Sequence, residues 1–303
     1  MRYAGELAAL ATASCWAVGT TLFGEASKRV GAFTTNLLRI PMGAFFLVLT
    51  LLLSRGAPWP TWASPRQVAL LTASSFLGLV LGDALFFRSV VLLGPRVATL
   101  LSTLAPPVAA VAAGAVLHEQ LGGVAVAGMI VTLAGVAWVV AEGSPAAETN
   151  KKKINLEGVG AGVGAAVSQG IGLVVSKLAM GAALDPLSAT VIRVTTAVAG
   201  AWIVALATGR AQAGLHALRD RQAVTFMIGG AIVGPFLGIW LMLTSVKLTA
   251  TGIASTLMAT TPIIIIPVVR VAYKERPSPR AWLGALLAVA GIALLFSPQV
   301  GGK

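Results

Sequence analysis

Charged side chains are scarce in this sequence. Only 11% of its 303 residues are Asp, Glu, Lys or Arg, and 57% are hydrophobic, whereas a soluble domain has roughly 25% charged residues. These charges are too few to cover a water-soluble globule of this size. The apolar residues fall into blocks of about 20, the length of a helix that crosses the hydrocarbon core of a bilayer. The composition therefore predicts an integral membrane protein.

Residues that form disulfides or bind metals are scarce as well. The single cysteine, Cys15, excludes an intrachain disulfide, and two histidines cannot form a His-rich metal site. No Asp or Glu pair at metal-binding spacing lies in an apolar block, and neither histidine has an adjacent Ser or Cys. Membrane-embedded enzymes generally need one of these arrangements. We therefore expect no metal, no cofactor and no enzyme activity, and a lipid-modifying enzyme is the least favoured alternative.

The net charge of +12 does not indicate a nucleic-acid partner. The 22 Lys and Arg lie mostly in short segments between the apolar blocks, not along one stripe. Basic residues in such segments are typical of loops that orient a membrane protein. The expected partners are the lipid bilayer and a small molecule, with no nucleic acid.

Ten apolar blocks predict ten transmembrane helices, because in lipid a helix satisfies its own backbone hydrogen bonds. Most connections are only a few residues long, so consecutive helices are expected to be antiparallel. The polar stretch at the midpoint of the chain predicts a linker, 144–155, between two repeats, 1–143 and 156–303. The blocks cover about residues 5–27, 33–53, 67–93, 97–117, 121–141, 156–180, 186–208, 222–247, 251–273 and 280–297.

The two halves of the chain match each other. At an offset of 156 residues, fifteen of the sixty positions from 81 to 140 are identical to their counterparts, where composition alone would give roughly six. The pairs include Pro106 with Pro262 and Glu119 with Glu275. An offset of 154 pairs Ser14 with Ser168 and Arg39 with Arg193. Five helices per half is an odd number, so the halves are predicted to be inverted repeats around a central cavity.

This pattern resembles the EamA family of the drug/metabolite transporter superfamily. The resemblance covers nearly the whole chain, and the segments that carry it are Ser14–Ala17, Arg39, Gly82–Arg88, Ala98–Pro106 with Glu119–Leu121, and their echo at Ala254–Pro262 and Glu275. It implies a bacterial cytoplasmic-membrane carrier, with both termini in the cytoplasm. The second half departs from the first by placing Gln169-Gly170 where the first has Cys15-Trp16, which suggests a cavity that the two repeats line differently.

The distribution of basic residues favours the opposite orientation. With the termini inside, the cytoplasmic segments hold five Lys and Arg and the other side holds twelve. The positive-inside rule therefore predicts the reverse of what the resemblance implies.

Several polar side chains lie within the predicted helices and are candidates for binding a substrate. Asp83 is an intramembrane carboxylate, which is costly unless it faces a partner or a wet cavity. It is expected either to bind a substrate ammonium or a proton, or to pair with Arg88 or Arg39. The indole and amide groups of Trp16, Gln169 and Trp240 also need hydrogen-bond partners at mid-helix depth. The complete predicted lining is Ser14, Trp16, Asp83, Ser102, Ser168, Gln169, Trp240 and Met258.

Matched prolines indicate helix breaks. Pro106 and Pro262 follow stretches of small polar residues in corresponding helices, and Pro267 adds a further interruption. A proline inside a helix frees a carbonyl group and permits a kink. We predict gating breaks at these three positions, with a static bend as the alternative.

Two further pairs receive structural interpretations. Arg39 and Arg193 are expected either to anchor their helices by extending toward the membrane interface or to pair one helix with another. Glu119 and Glu275 lie at helix connections and are expected to cap the N–H groups of the next helix.

These features predict a secondary transporter that works by alternating access and catalyses no covalent reaction. We expect it to export small polar metabolites, specifically amino acids, and to act as a monomer. Two alternatives remain open: a channel or carrier for anions such as sugar phosphates, which Arg39 and Arg193 would suit if they faced the cavity, and the membrane-embedded enzyme.

Overall fold

The computed structural model describes residues 3–93, 95–142, 155–264 and 279–295, and these ranges contain helices and no strand. A short helix, Ala211–Ala217, which the apolar pattern did not predict, precedes α8. The main elements are α1 (Ala4–Val30), α2 (Ala32–Arg55), α3 (Pro65–Leu93), α4 (Pro95–Leu117), α5 (Gly123–Glu142), α6 (Leu156–Met180), α7 (Pro186–Ala207), α8 (Arg221–Leu248), α9 (Thr251–Ile264) and α10 (Pro279–Leu295).

The lengths of these helices agree with a multi-pass membrane protein. Seven of them, α1 to α4 and α6 to α8, are long and apolar enough to cross a membrane. In the described ranges, α5, α9 and α10 contain shorter apolar helices. The elements occupy the positions of the ten predicted blocks, so the all-helical prediction is confirmed and a count of ten crossings is compatible with the structure.

Acidic and hydroxyl side chains fix where several helices begin. Ser64 and Gln67 form a capping box at the start of α3. Asp220 accepts from the N–H groups of Gln222 and Ala223 at the start of α8. The hydrogen bond from Ala223, ahead of the interaction with Arg29, holds the pKa of Asp220 below its usual range. The caps place each helix start outside the apolar core.

A glycine seam joins α5 and α10 and defines the relation between the halves. A methyl group added at Gly128 would lie 3.0 Å from the carbonyl oxygen of Gly291, and one added at Gly135 would lie 2.6 Å from that of Gly284. At the 156-residue offset, each of these contacts is the repeat image of the other. Residue numbers rise along α5 as they fall along α10, so the two helices are antiparallel.

This seam establishes that the repeats are inverted. A two-fold axis that exchanges two antiparallel helices is perpendicular to them, and the axis therefore lies in the plane of the membrane. Several other contacts between the halves obey the same symmetry. The packing of α1 on α8 matches that of α6 on α3, and that of α2 on α8 matches that of α7 on α3, while α2 with α7 and α4 with α9 are self-paired.

Gly291→Val is expected to lower the melting temperature of the detergent-purified protein. The added atoms would collide with Thr132 and with the backbone of Gly128, and overpacking of this kind costs about 1–3 kcal/mol. Gly160→Val is the matched control, because nothing lies within 4 Å of a Cβ added at Gly160. Equal melting temperatures for the two variants would contradict the close packing of the seam.

The apolar core is concentrated at one end of the bundle. We call the end at which α1 begins the near end and the opposite end the far end. The largest buried cluster joins the near-end portions of most of the helices, with members such as Ala9, Leu71, Met180, Ile192, Leu243 and Leu257. The far-end cluster is smaller and comprises Ala26, Leu38, Ala217, Ala223 and Met227. The near end is therefore the more tightly packed of the two.

Candidate functional site

Both halves contain a π-helical segment at the same place. Residues Phe76–Gly82 in α3 and Ile232–Gly238 in α8 are π-helical, and their bounds differ by 156 at both ends. The second segment contains Pro235 but the first has no proline, so proline alone does not cause this geometry. Single π-helical turns are frequent at functional sites because they redirect side chains.

Small residues allow other helices to approach these segments. The side chain of Gln169, on α6, lies against Gly82, where an added Cβ would be 3.0 Å from its Cγ. The indole of Trp16, on α1, lies against Gly238, with its Nε1 at 2.8 Å from the equivalent position. Two predicted site residues are thus brought to matching positions on the two π-helical segments.

Trp240, the third predicted side chain of this kind, belongs to an aromatic row. Its ring centroid is 6.0 Å from that of Phe236, which is 6.0 Å from that of Phe46. The row connects α8 to α2. Both Trp16 and Trp240 remain partly exposed, so their indoles can still contact a ligand.

Helices α4 and α9 are interrupted at matching positions. In α4 the helix is regular over Pro95–Ser102 and resumes over Ala105–Leu117. In α9 it is regular over Thr251–Met258, breaks at Ala259 and Thr260, and resumes through Ile264. Pro106 and Pro262 each stand at the second position of the resumed segment, while Pro267 lies outside the described residues. Each interruption lies just before one of these two prolines, and the gating role of all three prolines stays a prediction.

Ser102 and Met258 occupy equivalent positions just before these breaks. The Ser102 hydroxyl donates to the carbonyl oxygen of Thr99 in its own helix, 2.7 Å away, and the side chain is half-buried. Met258 is only 4% exposed and packs in the near-end apolar cluster. The two mates therefore have different surroundings.

An ionic cluster links α2, α3 and α7. Arg39 Nη2 lies 3.2 Å from Asp83 Oδ2, and their side chains are 27% and 20% exposed. Arg193 is close enough to Asp83 for an electrostatic interaction. Of the two pairings predicted for Asp83, the structure selects Arg39, because Arg88 instead pairs with Glu157 at 2.6 Å.

Arg193 is buried, so it does not extend toward the interface, and of its two predicted roles only the pairing of helices agrees with this position. The residue is only 3% exposed, and its Nε and Nη1 have no hydrogen-bond partner among the described residues. A Cβ at Gly78 would lie 3.0 Å from its Nη2, so the absence of a side chain there makes room for the guanidinium. Arg39 is also directed inward, toward Asp83 and over the ring of Phe23.

The serine mates Ser14 and Ser168 differ in their hydrogen bonds. Ser168 Oγ donates across helices to the carbonyl oxygen of Leu77, 2.7 Å away in the first π-helical segment. Ser14 Oγ donates to Leu10 in its own helix and is exposed. Only Ser168 therefore holds two helices together.

Ser168→Ala is expected to destabilise the protein, whereas Ser14→Ala is not. The first change leaves the Leu77 carbonyl oxygen without its interhelical donor, at a cost of about 1 kcal/mol. The melting temperatures of the two purified variants would measure this difference. A larger loss for Ser14→Ala would contradict the assignment.

A hydrogen-bonded network ties the halves together at the near end. Glu119 accepts from the N–H of Thr251 at 2.7 Å and pairs with Lys177 Nζ at 2.7 Å. Lys177 also donates to the carbonyl oxygen of Thr249 at 2.5 Å, and the hydroxyl of Thr249 donates to Glu6 at 2.9 Å. We call these five residues the near-end network.

The near-end network corrects the predicted role of Glu119. This carboxylate caps α9 of the other repeat, not α5, the next helix in the chain. Glu275 lies outside the described residues. The sequence contained the signal for a pair of matched glutamates but not for the helix that Glu119 meets.

A depression of about 360 Å³ opens at the near end beside this network. It is lined by Leu117, Glu119, Lys177, Leu178, Gly181 and Lys247. None of the predicted substrate-binding residues lines it. The polar side chains at mid-helix depth are thus separate from this surface depression.

The candidate site is therefore the mid-bundle layer around the two π-helical segments. It contains cations, one carboxylate, an amide and two indoles, which can hold a ligand by charge and hydrogen bonding. In the ranges that the structure describes, no group of three His, Cys, Asp or Glu could hold a metal ion.

Comparison with known proteins agrees with the fold. A sequence model of the EamA-like transporter family matches residues 3–141 and 156–297. One solved structure, titled only "Crystal structure of protein", has a TM-score of 0.76 and 19% sequence identity and covers 98% of this chain and 97% of its own. No curated protein matches the sequence.

Proposed function

Because this chain belongs to the EamA-like transporter family and is a membrane transporter of small molecules, we propose that it exports small polar metabolites, specifically amino acids, by alternating access. The transporter would work as a monomer in a bacterial cytoplasmic membrane. Its repeats, 1–143 and 156–303, would enclose the substrate between them, with 144–155 as the linker.

One observation carries the alternating-access proposal: equivalent segments of the two halves have different surroundings. Every residue of Thr251–Met258 in α9 is buried. In the matching segment of α4, Ala98 alone is buried among residues 97–102. Since the repeats are inverted, these segments lie at opposite ends, so the near end is closed and the far end is looser. Exchanging the two environments would open the near end and close the far end.

The proposed substrate site is the mid-bundle layer, with Asp83, Trp16, Gln169 and Trp240 as the main contacts. Ser14, Ser102, Ser168 and Met258 complete the proposed lining. The breaks that precede Pro106 and Pro262 would provide the bends through which the halves move, and Pro267 is proposed to add a third.

Counterflow of radiolabelled amino acids into proteoliposomes tests the proposal. Asp83→Asn and Gln169→Ala are each expected to slow counterflow at least about tenfold, because the loss of one charged or polar contact costs about 1.5 kcal/mol or more. Arg88→Gln is the control, because its ion pair with Glu157 is exposed. Normal counterflow in both site variants, with correct folding, would rule out this site.

Transport of anionic metabolites is a second candidate function. Two guanidinium groups and one carboxylate leave the ionic cluster with an excess positive charge, which favours an anion. Competition separates the two candidates: sugar phosphates should inhibit an anion carrier, and zwitterionic amino acids should not.

A further inference from the structure

Arg39 and Arg193 are repeat mates, but Asp83 has no acidic mate. At the 156-residue offset its counterpart is Ile239. A symmetric pair of cations therefore shares one carboxylate. The guanidinium of Arg193 is buried, and two of its nitrogens have no hydrogen-bond partner among the described residues. Buried charge is stable only when it is paired, so this cluster can accept one more negative charge.

We propose that Arg39 and Arg193 form a binding site for the carboxylate group of the substrate, and that Asp83 is its resident occupant. This inference rests on the proposed function, since it identifies the group by which the transported molecule is held. An arriving carboxylate would replace Asp83 at Arg39 and accept from the unpaired nitrogens of Arg193, while Asp83 would remain close enough to Arg193 for an electrostatic interaction. Arginine suits this exchange because its planar fork binds carboxylates through two N–H groups.

The exposure of the two arginines fits the closure of the bundle. Arg39 lies two turns into α2, which begins at the looser far end, and its side chain is 27% exposed. Arg193 lies two turns into α7, which begins at the closed near end, and it is 3% exposed. Exchange of the two conformations would bury Arg39 and expose Arg193. One cation of the site would thus be accessible from each side in turn.

Chemical rescue tests the site without any transport. Asp83→Ala removes the resident carboxylate, so the detergent-purified variant should melt at a lower temperature than the wild type. Sodium formate or acetate, at on the order of 100 mM, should raise that temperature by several degrees through mass action. Sodium chloride at equal ionic strength should not, and the wild-type protein should gain less from formate than the variant does, because Asp83 competes with formate for the arginines.

Two further variants make the result specific. Asp83→Ala combined with Arg193→Leu should lose the rescue, because one of the two cations is absent. Asp185→Ala is the matched control: it removes a carboxylate that caps α7 and lies 3.9 Å from Arg55 outside the ionic cluster. Formate should not selectively stabilise that variant. Should Asp83→Ala fail to fold, Asp83→Asn serves with the same additions.

The source of the carboxylate is determined in proteoliposomes. If it belongs to an amino acid, excess amino acid should inhibit counterflow, while the methyl ester of the same amino acid should inhibit at least about tenfold less. If it belongs to another anion, dicarboxylates should inhibit instead. Inhibition by the ester equal to that by the acid would overturn the proposal.

The rescue experiment separates this proposal from the proposed function. Rescue without measurable transport would support the carboxylate site and count against the carrier. Transport with no formate-specific rescue in either Asp83 variant would support the carrier and overturn the site. Rescue by chloride as strong as by formate would also overturn it.

Discussion

Arg193→Leu is expected to leave the protein at least as stable as the wild type while slowing counterflow of carboxylate-bearing substrates about 100-fold. The stability expectation follows from the charges of the ionic cluster, since Asp83 keeps its ion pair with Arg39 at 3.2 Å. Leucine removes a buried guanidinium with two unpaired nitrogens, and replacing buried ionic groups by apolar ones is often neutral or stabilising. The transport loss follows because hydrogen bonds to a charged group contribute about 1.5–3 kcal/mol.

Melting temperature and initial counterflow rate, measured on the same preparation, check this prediction. Arg55→Leu is the control, because the Arg55 side chain is 56% exposed and its ion pair with Asp185 is long, at 3.9 Å. This variant should change neither the melting temperature nor the counterflow rate. A purely structural role for Arg193 predicts the opposite result, in which the leucine variant melts several degrees lower but transports normally.

Glu119→Gln is expected to shift the protein toward the state that is open at the near end. Glu119 pairs with Lys177 and caps α9, and both side chains are largely buried. Because the wild-type carboxylate joins the two halves in the closed arrangement, its loss should weaken closure by about 1.4 kcal/mol, or tenfold in population. The population open at the far end should decrease by the same absolute amount, because the two states share one population.

Two equivalent alanines can report on this shift. Ala254 in α9 and Ala98 in α4 are repeat mates and are both fully buried. In a Cys15→Ser background, maleimide should label Ala254→Cys about tenfold faster when Glu119→Gln is present, and Ala98→Cys no faster. Arg88→Gln, which breaks an exposed far-end pair, should not accelerate near-end labelling. Faster labelling at both positions would indicate general loosening and contradict a shift between two states.

Composition and internal similarity predicted the architecture because they act over the whole chain. The scarcity of charge required lipid as the solvent, and the offset of 156 gave two halves with an odd number of helices each. The glycine pairs at that offset, including Gly128 with Gly284 and Gly135 with Gly291, are the residues that meet in the seam. The absence of side chains at these positions allows α5 and α10 to pack closely.

The contacts within the site could be predicted only in part. Prolines signalled the breaks in α4 and α9, but the π-helical segment of α3 contains no proline and carries no comparable local mark. The partner of Glu119 is 132 residues away in the chain, and its identity depends on how the halves dock. No local pattern contains that information.

The burial of Arg193 was missed for a related reason. Depth along a helix can be counted from the sequence, and at two turns a long side chain can extend to the interface. Whether it does so depends on which end of the bundle is closed. Arg39 and Arg193 have the same depth and similar neighbours, yet one is partly exposed and the other is buried. The two arginines differ because one end of the bundle is closed and the other is looser. The sequence does not specify which end is closed.

The seam between α5 and α10 has a mechanical consequence. Contacts such as Gly128 with Gly291 flank the symmetry axis. They therefore stay the same when the two halves exchange conformations. Such an exchange would leave the seam in place as a hinge. Groups farther from the seam would move farther. The backbone glycines would then act as a pivot, and bulky side chains there would impede turning as well as folding.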